Sequence, residues 1–149
     1  NQKLILITDH DFEYFRTNKI KFKDNFDIML KFMDFTLKHY GAHLKIIKAI
    51  SREIQGKIIS SMENKYLIQM FTLSESLIYY QSSLNLNYDA TQKLYNYAKK
   101  IGVNENNLLY LENLKIENEQ ALKQAEIYSE VFSGLMDARA YIVNNNMRK

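Results

Sequence analysis

Few side chains in this sequence are spaced to do chemistry. His39 and His43 stand at i and i+4 in "KHYGAHLK", which puts both imidazoles on one helix face, as metal ligands can be. Two ligands do not close a site and the chain has no Cys, so the pair reads as a surface pair. The tyrosines of "YYQ" and "YNY" could stack nucleobases, but at helical spacing they read as core packing. The stretch "AEIYSEVFSGLMDARAYIVNNN", Ala125 to Asn146, is odder. It reads as helix, yet Ser129, Ser133, Gly134, Ala138 and Ala140 stand where a surface helix carries Lys and Glu. Its last acid, Asp137, is followed by three asparagines in a row, Asn144 to Asn146. Taken alone, Asp137 is a solvated helix acid and the asparagines are a frayed helix end. No nucleophile–base pair and no Gly-rich phosphate loop appears, so enzyme chemistry has no foothold.

The elements that must position these residues follow from an unusual composition. The length of 149 residues allows one domain with a real core. With no Pro and only four Gly, few positions force a break, and long helices result. The absence of Cys excludes a disulfide framework and thiolate metal sites and suits a reducing compartment. A formal net charge of +3 is too small to argue for nucleic acid. No apolar run approaches the roughly 18–20 residues of a membrane span, and no signal peptide opens the chain. The first residue is Asn1 rather than Met, and the sequence stops abruptly after "NNNMRK". The expectation is therefore a piece of a longer protein.

"KLILIT", Lys3 to Thr8, is a short β-type run, read as the last strand of a sheet. From about Asp24 the pattern becomes helical. Phe26, Leu30, Met33, Leu37, Tyr40, Leu44, Ile47, Ser51, Ile54 and Ile58 alternate four and three apart, a heptad stripe. Lys31, Lys38, Lys45 and Arg52 recur on another face, as solvated charge. The polar turn "SSMEN", Ser60 to Asn64, starts a second stripe: Tyr66, Met70, Leu73, Leu77, Tyr80 and Leu84. A link this short makes the two helices antiparallel neighbours. "NLNYD" is expected to interrupt, with Asp89 capping a short helix that stops at Gly102. A last helix, about 60 Å long, starts near Asn104 to Asn107. Its stripe is Leu111, Leu114, Asn118, Ala121, Ala125, Tyr128, Phe132, Leu135, Arg139 and Ile142. A rotated face of Glu119, Glu126, Glu130, Ser133, Asp137, Ala140 and Asn144 is acidic and small, odd for a core and odd for a dimer seam.

"IENEQALKQAEIYSEVFSGLMDARAYIVNNN", Ile116 to Asn146, resembles the stalk helix that precedes the first membrane span of CorA-type magnesium channels. "SMENKYLIQMFTLSESLIYYQSSL", Ser61 to Leu84, resembles the second long helix of that family's hairpin. The resemblance covers about Asp24 to Lys149. It rests on a long helix combined with "SG-L-M-D-A" and the Asn run; the family's Gly-Met-Asn signature is absent. The fold it implies is mainly α: a long antiparallel helical hairpin plus a long stalk helix, with a short N-terminal strand left from an α/β sheet domain. Residues 1–22 would end the sheet domain, 23–103 form the hairpin with a short connecting helix, and 104–149 form the stalk.

The resemblance further implies a homopentamer in the cell (inner) membrane, anchored by spans beyond this sequence, with this part on the cytoplasmic side. No resident cofactor is implied; Mg²⁺ is the transported ion, and a regulatory one. Asp137 would face a water-filled axis as a ring of carboxylates, which raises the local concentration of hydrated cations. Asn144 would offer amide oxygens to the ion's water shell, which suits an ion that dehydrates reluctantly. The family's regulatory acid near the top of the stalk falls on Asn113, with Glu112 beside it, and an amide is a poorer Mg²⁺ ligand than a carboxylate. Where the family often has a further pore-lining Asn, this chain has Arg148; Arg148 and Lys149 also agree with the positive-inside rule. The reading is passive divalent-cation conduction, with Mg²⁺, Co²⁺, Ni²⁺ and Zn²⁺ not distinguished. Its rivals are a stand-alone helical coiled-coil interaction module and a nucleic-acid binder using the Lys31–Lys38–Lys45 face.

Overall fold

The computed structural model describes residues 3, 5, 7, 20–60 and 63–147, and for 59 and 60 the backbone alone. Within them stand three long helices: α1 (Asn25–Ser60), α2 (Asn64–Lys100) and α3 (Glu105–Met147). Each boundary has a local cause. Before α1, Asp24 Oδ1 accepts the Asp27 N–H at 2.7 Å and Asp27 Oδ2 accepts the Lys23 N–H at 2.9 Å. Two amide donors are thus satisfied reciprocally, close to a capping box. Asn104 Oδ1 accepts the Asn107 N–H at 2.9 Å and opens α3 in the same way. α2 ends in a Schellman motif. The Val103 N–H bonds the Ala98 carbonyl at 3.0 Å, the Gly102 N–H bonds Lys99 at 3.3 Å, and Gly102 takes φ +73°. A side chain at Gly102 would have to adopt that left-handed backbone.

One expectation differs from what is found, and one is not shown. α2 runs unbroken through "NLNYD". The reason is that its buried positions, Met70, Leu77, Leu84, Thr91 and Ala98, keep heptad spacing across the polar stretch, so packing overrides the weak local break. Asn85 and Asp89 are exposed, and just beyond the stretch Thr91 Oγ1 donates to the Asn87 carbonyl at 2.7 Å. The N-terminal strand is not seen. Lys3, Ile5 and Ile7 are in no strand, Ile5 and Ile7 are exposed, and no partner strand exists among the described residues to complete a ladder. The rest of "KLILIT" lies outside the described residues, as do Ser61 and Met62 of the expected turn.

α1 and α2 are antiparallel. Tyr40 meets Tyr80 edge to face at 5.5 Å, and farther along Lys57 lies over the Tyr66 ring at 5.5 Å. α2 and α3 are antiparallel too, with Gln81 Nε2 bonding the Ala125 carbonyl at 3.2 Å and Lys115 Nζ bonding Gln92 Oε1 at 2.8 Å. The stripes are the core. Leu30, Leu37, Leu44, Ile47, Ile54 and Ile58 of α1 meet Met70, Leu77 and Leu84 of α2 and Leu111, Leu114 and Phe132 of α3. The α2–α3 seam is the most extensive. There Ala121 and Ala125 let the helices approach, and Asn118, 3% exposed, donates from Nδ2 to the Leu84 carbonyl at 2.7 Å.

Two outcomes are expected. Asn118→Ala removes a buried interhelical hydrogen bond and should cost about 1–3 kcal/mol, read as a lower urea midpoint at unchanged slope. Burial, together with the Asp34 carboxylate that its hydroxyl bonds, pushes the Tyr110 phenol up from 10.0 to about 12. The fold therefore favours the neutral phenol. That stabilisation is whole below pH about 10 and is lost as pH rises through about 12. Tyr110→Phe should flatten the alkaline limb of a stability–pH curve.

Candidate functional site

The rotation of α3 is fixed by its buried stripe, Leu111, Leu114, Asn118, Ala121, Ala125, Phe132 and Arg139. At about 100° per residue, Glu112, Glu119, Glu126, Ser133, Asp137 and Asn144 then fall within one sector away from that stripe. Asn113 lies about 100° round from Glu112 and leaves the sector. Of the candidate ligands near the start of α3, only Glu112 therefore shares a face with Asp137. All of these positions are exposed except Glu126, which is half-buried and paired with Lys123 at 3.2 Å. Asp137 and Asn144 have no hydrogen-bond or ion-pair partner among the described residues. The face is thus continuous, largely exposed and mostly acidic, interrupted by Lys123.

A single copy does not gather these groups. Glu112 and Asp137 stand about 37 Å apart along the helix, and among the described residues no three His, Asp or Glu side chains come together as a metal site. Mg²⁺ takes near-octahedral oxygen ligation. One chain offers it a carboxylate here and an amide there, which is outer-sphere contact. Arg148 lies outside the described residues.

The other candidates resolve as follows. Lys31 pairs with Asp27 at 3.0 Å and Lys38 with Asp34 at 2.6 Å. Two of the three lysines of the nucleic-acid reading are therefore offset by acids on their own helix. His39 and His43 do lie together, with ring centroids 4.3 Å apart. His43 Nδ1 is also 2.6 Å from the Tyr80 hydroxyl on α2. The sequence places Tyr80 in a core stripe and gives no sign of this contact; only the antiparallel register of α1 and α2 reveals it. An apolar groove of about 780 Å³ opens between the first half of α1 and the second half of α2. Its lining, including Met29, Phe32, Met33 and Leu94, contains no titratable side chain, so it holds nothing for acid–base catalysis. Among the described residues no helix is long and apolar enough to cross a membrane.

With this geometry in hand, comparison with known proteins gives one positive result. A family model described as "CorA-like Mg2+ transporter protein" matches residues 2–149. No curated protein and no solved structure matches the chain.

Proposed function

The chain belongs to the CorA-like Mg²⁺ transporter family, a family of transporters rather than enzymes, and from that premise we propose that it is the cytoplasmic helical part of a homopentameric divalent-cation channel. In this reading α3 is the stalk that leads towards the membrane. Five copies of its acidic face surround a water-filled axis, and conduction is passive, driven by the membrane potential. The observation that carries the proposal is the face itself. Asp137 and Asn144 are exposed, and unpartnered among the described residues, on a helix whose other side is committed to the core.

The small residues beside that face support it. Ser133, Gly134, Ala138 and Ala140 are exposed. A Cβ added at Gly134 would meet nothing within 4 Å, so the single chain has no use for a glycine that costs about 1 kcal/mol in a helix. Neighbouring stalks do have a use for it, because small side chains let helices crowd. A ring of Asp137 carboxylates would concentrate hydrated cations at its level of the axis. Asn144, two helical turns on, would hold the ion's water shell without binding it tightly enough to stop its passage. An ion contact near the start of α3 falls to Glu112 rather than Asn113, since only the former shares the face.

In the full-length channel reconstituted in liposomes, Asp137→Ala should lower Mg²⁺ flux or change its voltage dependence. In the same variant helix content should hold, and stability should stay within about 0.5 kcal/mol, as for an exposed unpaired residue. Glu75→Ala is the control, being an exposed acid on α2; Asp34 is unsuitable because it bonds Tyr110 and Lys38. Equal flux for Asp137→Ala and the parent at matched protein density would remove Asp137 from the pathway.

A further inference from the structure

We propose that His39 and His43 form an open chelate for a borderline transition-metal ion, of the Zn²⁺, Ni²⁺ or Co²⁺ type, on the outer edge of the α1–α2 hairpin. The pair is set one helical turn apart in the middle of α1, where the helix is continuous on both sides. The ring centroids lie 4.3 Å apart and the planes are tilted by 48°. Rings this close, one helical turn apart, can turn two nitrogens onto one ion at about 2.0–2.1 Å. Phe35, one turn before His39, has its ring nearly parallel to the His39 ring at 6.3 Å.

Tyr80 supplies what a chance surface pair lacks. Its hydroxyl is 2.6 Å from His43 Nδ1. With Nδ1–H donating to that oxygen, the ring's lone pair sits on Nε2. A hydrogen bond to the second ring nitrogen is what fixes tautomer and orientation in metal-binding histidines. Tyr80 is itself held, edge to face, by Tyr40 at 5.5 Å. The ligand on α1 is thus buttressed from α2. Among the described residues no third His, Asp or Glu joins the cluster, so water would complete the coordination shell.

Imidazole nitrogen suits Zn²⁺, Ni²⁺ and Co²⁺, whereas Mg²⁺ wants oxygen. The site therefore discriminates against Mg²⁺ and is separate from the Asp137 face. It does not rest on the channel reading. The geometry exists only while α1 is helical and docked on α2, so an ion bound there stabilises the folded hairpin by mass action.

The test uses the untagged 149-residue chain with ZnCl₂, NiCl₂ or MgCl₂ alone, followed by calorimetric titration and thermal unfolding. Zn²⁺ and Ni²⁺ should bind and raise the unfolding midpoint, and Mg²⁺ should do neither. His39→Gln and His43→Gln should each abolish the response while circular dichroism shows intact helices. Tyr80→Phe should weaken binding by about tenfold without abolishing it. His10→Gln, which changes the one histidine outside the pair, should bind like the parent. A parent-like response in His39→Gln, or loss of the response in His10→Gln, would overturn the assignment.

Discussion

The proposed ion path depends on how α3 is rotated about its own axis, and the α2–α3 seam sets that rotation. Met70, Leu77 and Leu84 on one side and Leu111, Ala125 and Phe132 on the other have no exposed surface. Asn118 adds direction to the apolar contact, because its bond to the Leu84 carbonyl is satisfied in one register only. A polar group buried without its partner costs about 1–3 kcal/mol, so sliding or turning α3 by one residue is penalised twice. A turn of one residue, about 100°, would carry Asp137 away from its open sector. The seam thus does more than stabilise the bundle: it aims the acidic face.

The small residues of α3 divide into two sets with different causes. Ala121 and Ala125 face α2 and are buried; they let two backbones approach closely enough for Asn118 and Gln81 to reach carbonyls across the gap. Ser133, Gly134, Ala138 and Ala140 face away and contribute nothing to the core of the single chain. The first set is explained by the α2–α3 seam; the second has a use only in the proposed crowding of neighbouring stalks. The His39–His43–Tyr80 cluster obeys the same logic on the opposite edge. α1 supplies the two imidazoles, and the register with α2 brings the Tyr80 hydroxyl to 2.6 Å from His43 Nδ1.

Sequence periodicity made most of this architecture legible. The α1 stripe from Phe26 to Ile58 is buried or half-buried at every position, and the α3 stripe likewise from Leu111 to Ile142, the polar Asn118 and Arg139 included. Gly102 and Asn104 marked a helix end and a helix start that the structure realises by a Schellman motif and a side-chain cap. One local signal misled. "NLNYD" reads as a break when its turn-forming residues are taken without the heptad spacing of Leu84, Thr91 and Ala98 running through them. Of "KLILIT", Lys3, Ile5 and Ile7 stand in no strand and the other residues lie outside the described ones. The exposed acidic face followed from spacing, whereas the preference for Glu112 over Asn113 required α3 to be one uninterrupted helix. The contact between His43 and Tyr80 joins residues 37 apart in sequence, and no local pattern encodes it.

The central claim is that the Asp137 face of α3 lines the path of the ion. The most direct measurement places single cysteines in an otherwise cysteine-free full-length channel and treats each with a bulky, positively charged thiol reagent during Mg²⁺ flux. Modification at Asp137→Cys should block flux, while complete modification at Glu75→Cys on α2 should leave it unchanged. Undiminished flux through fully labelled Asp137→Cys would contradict the account.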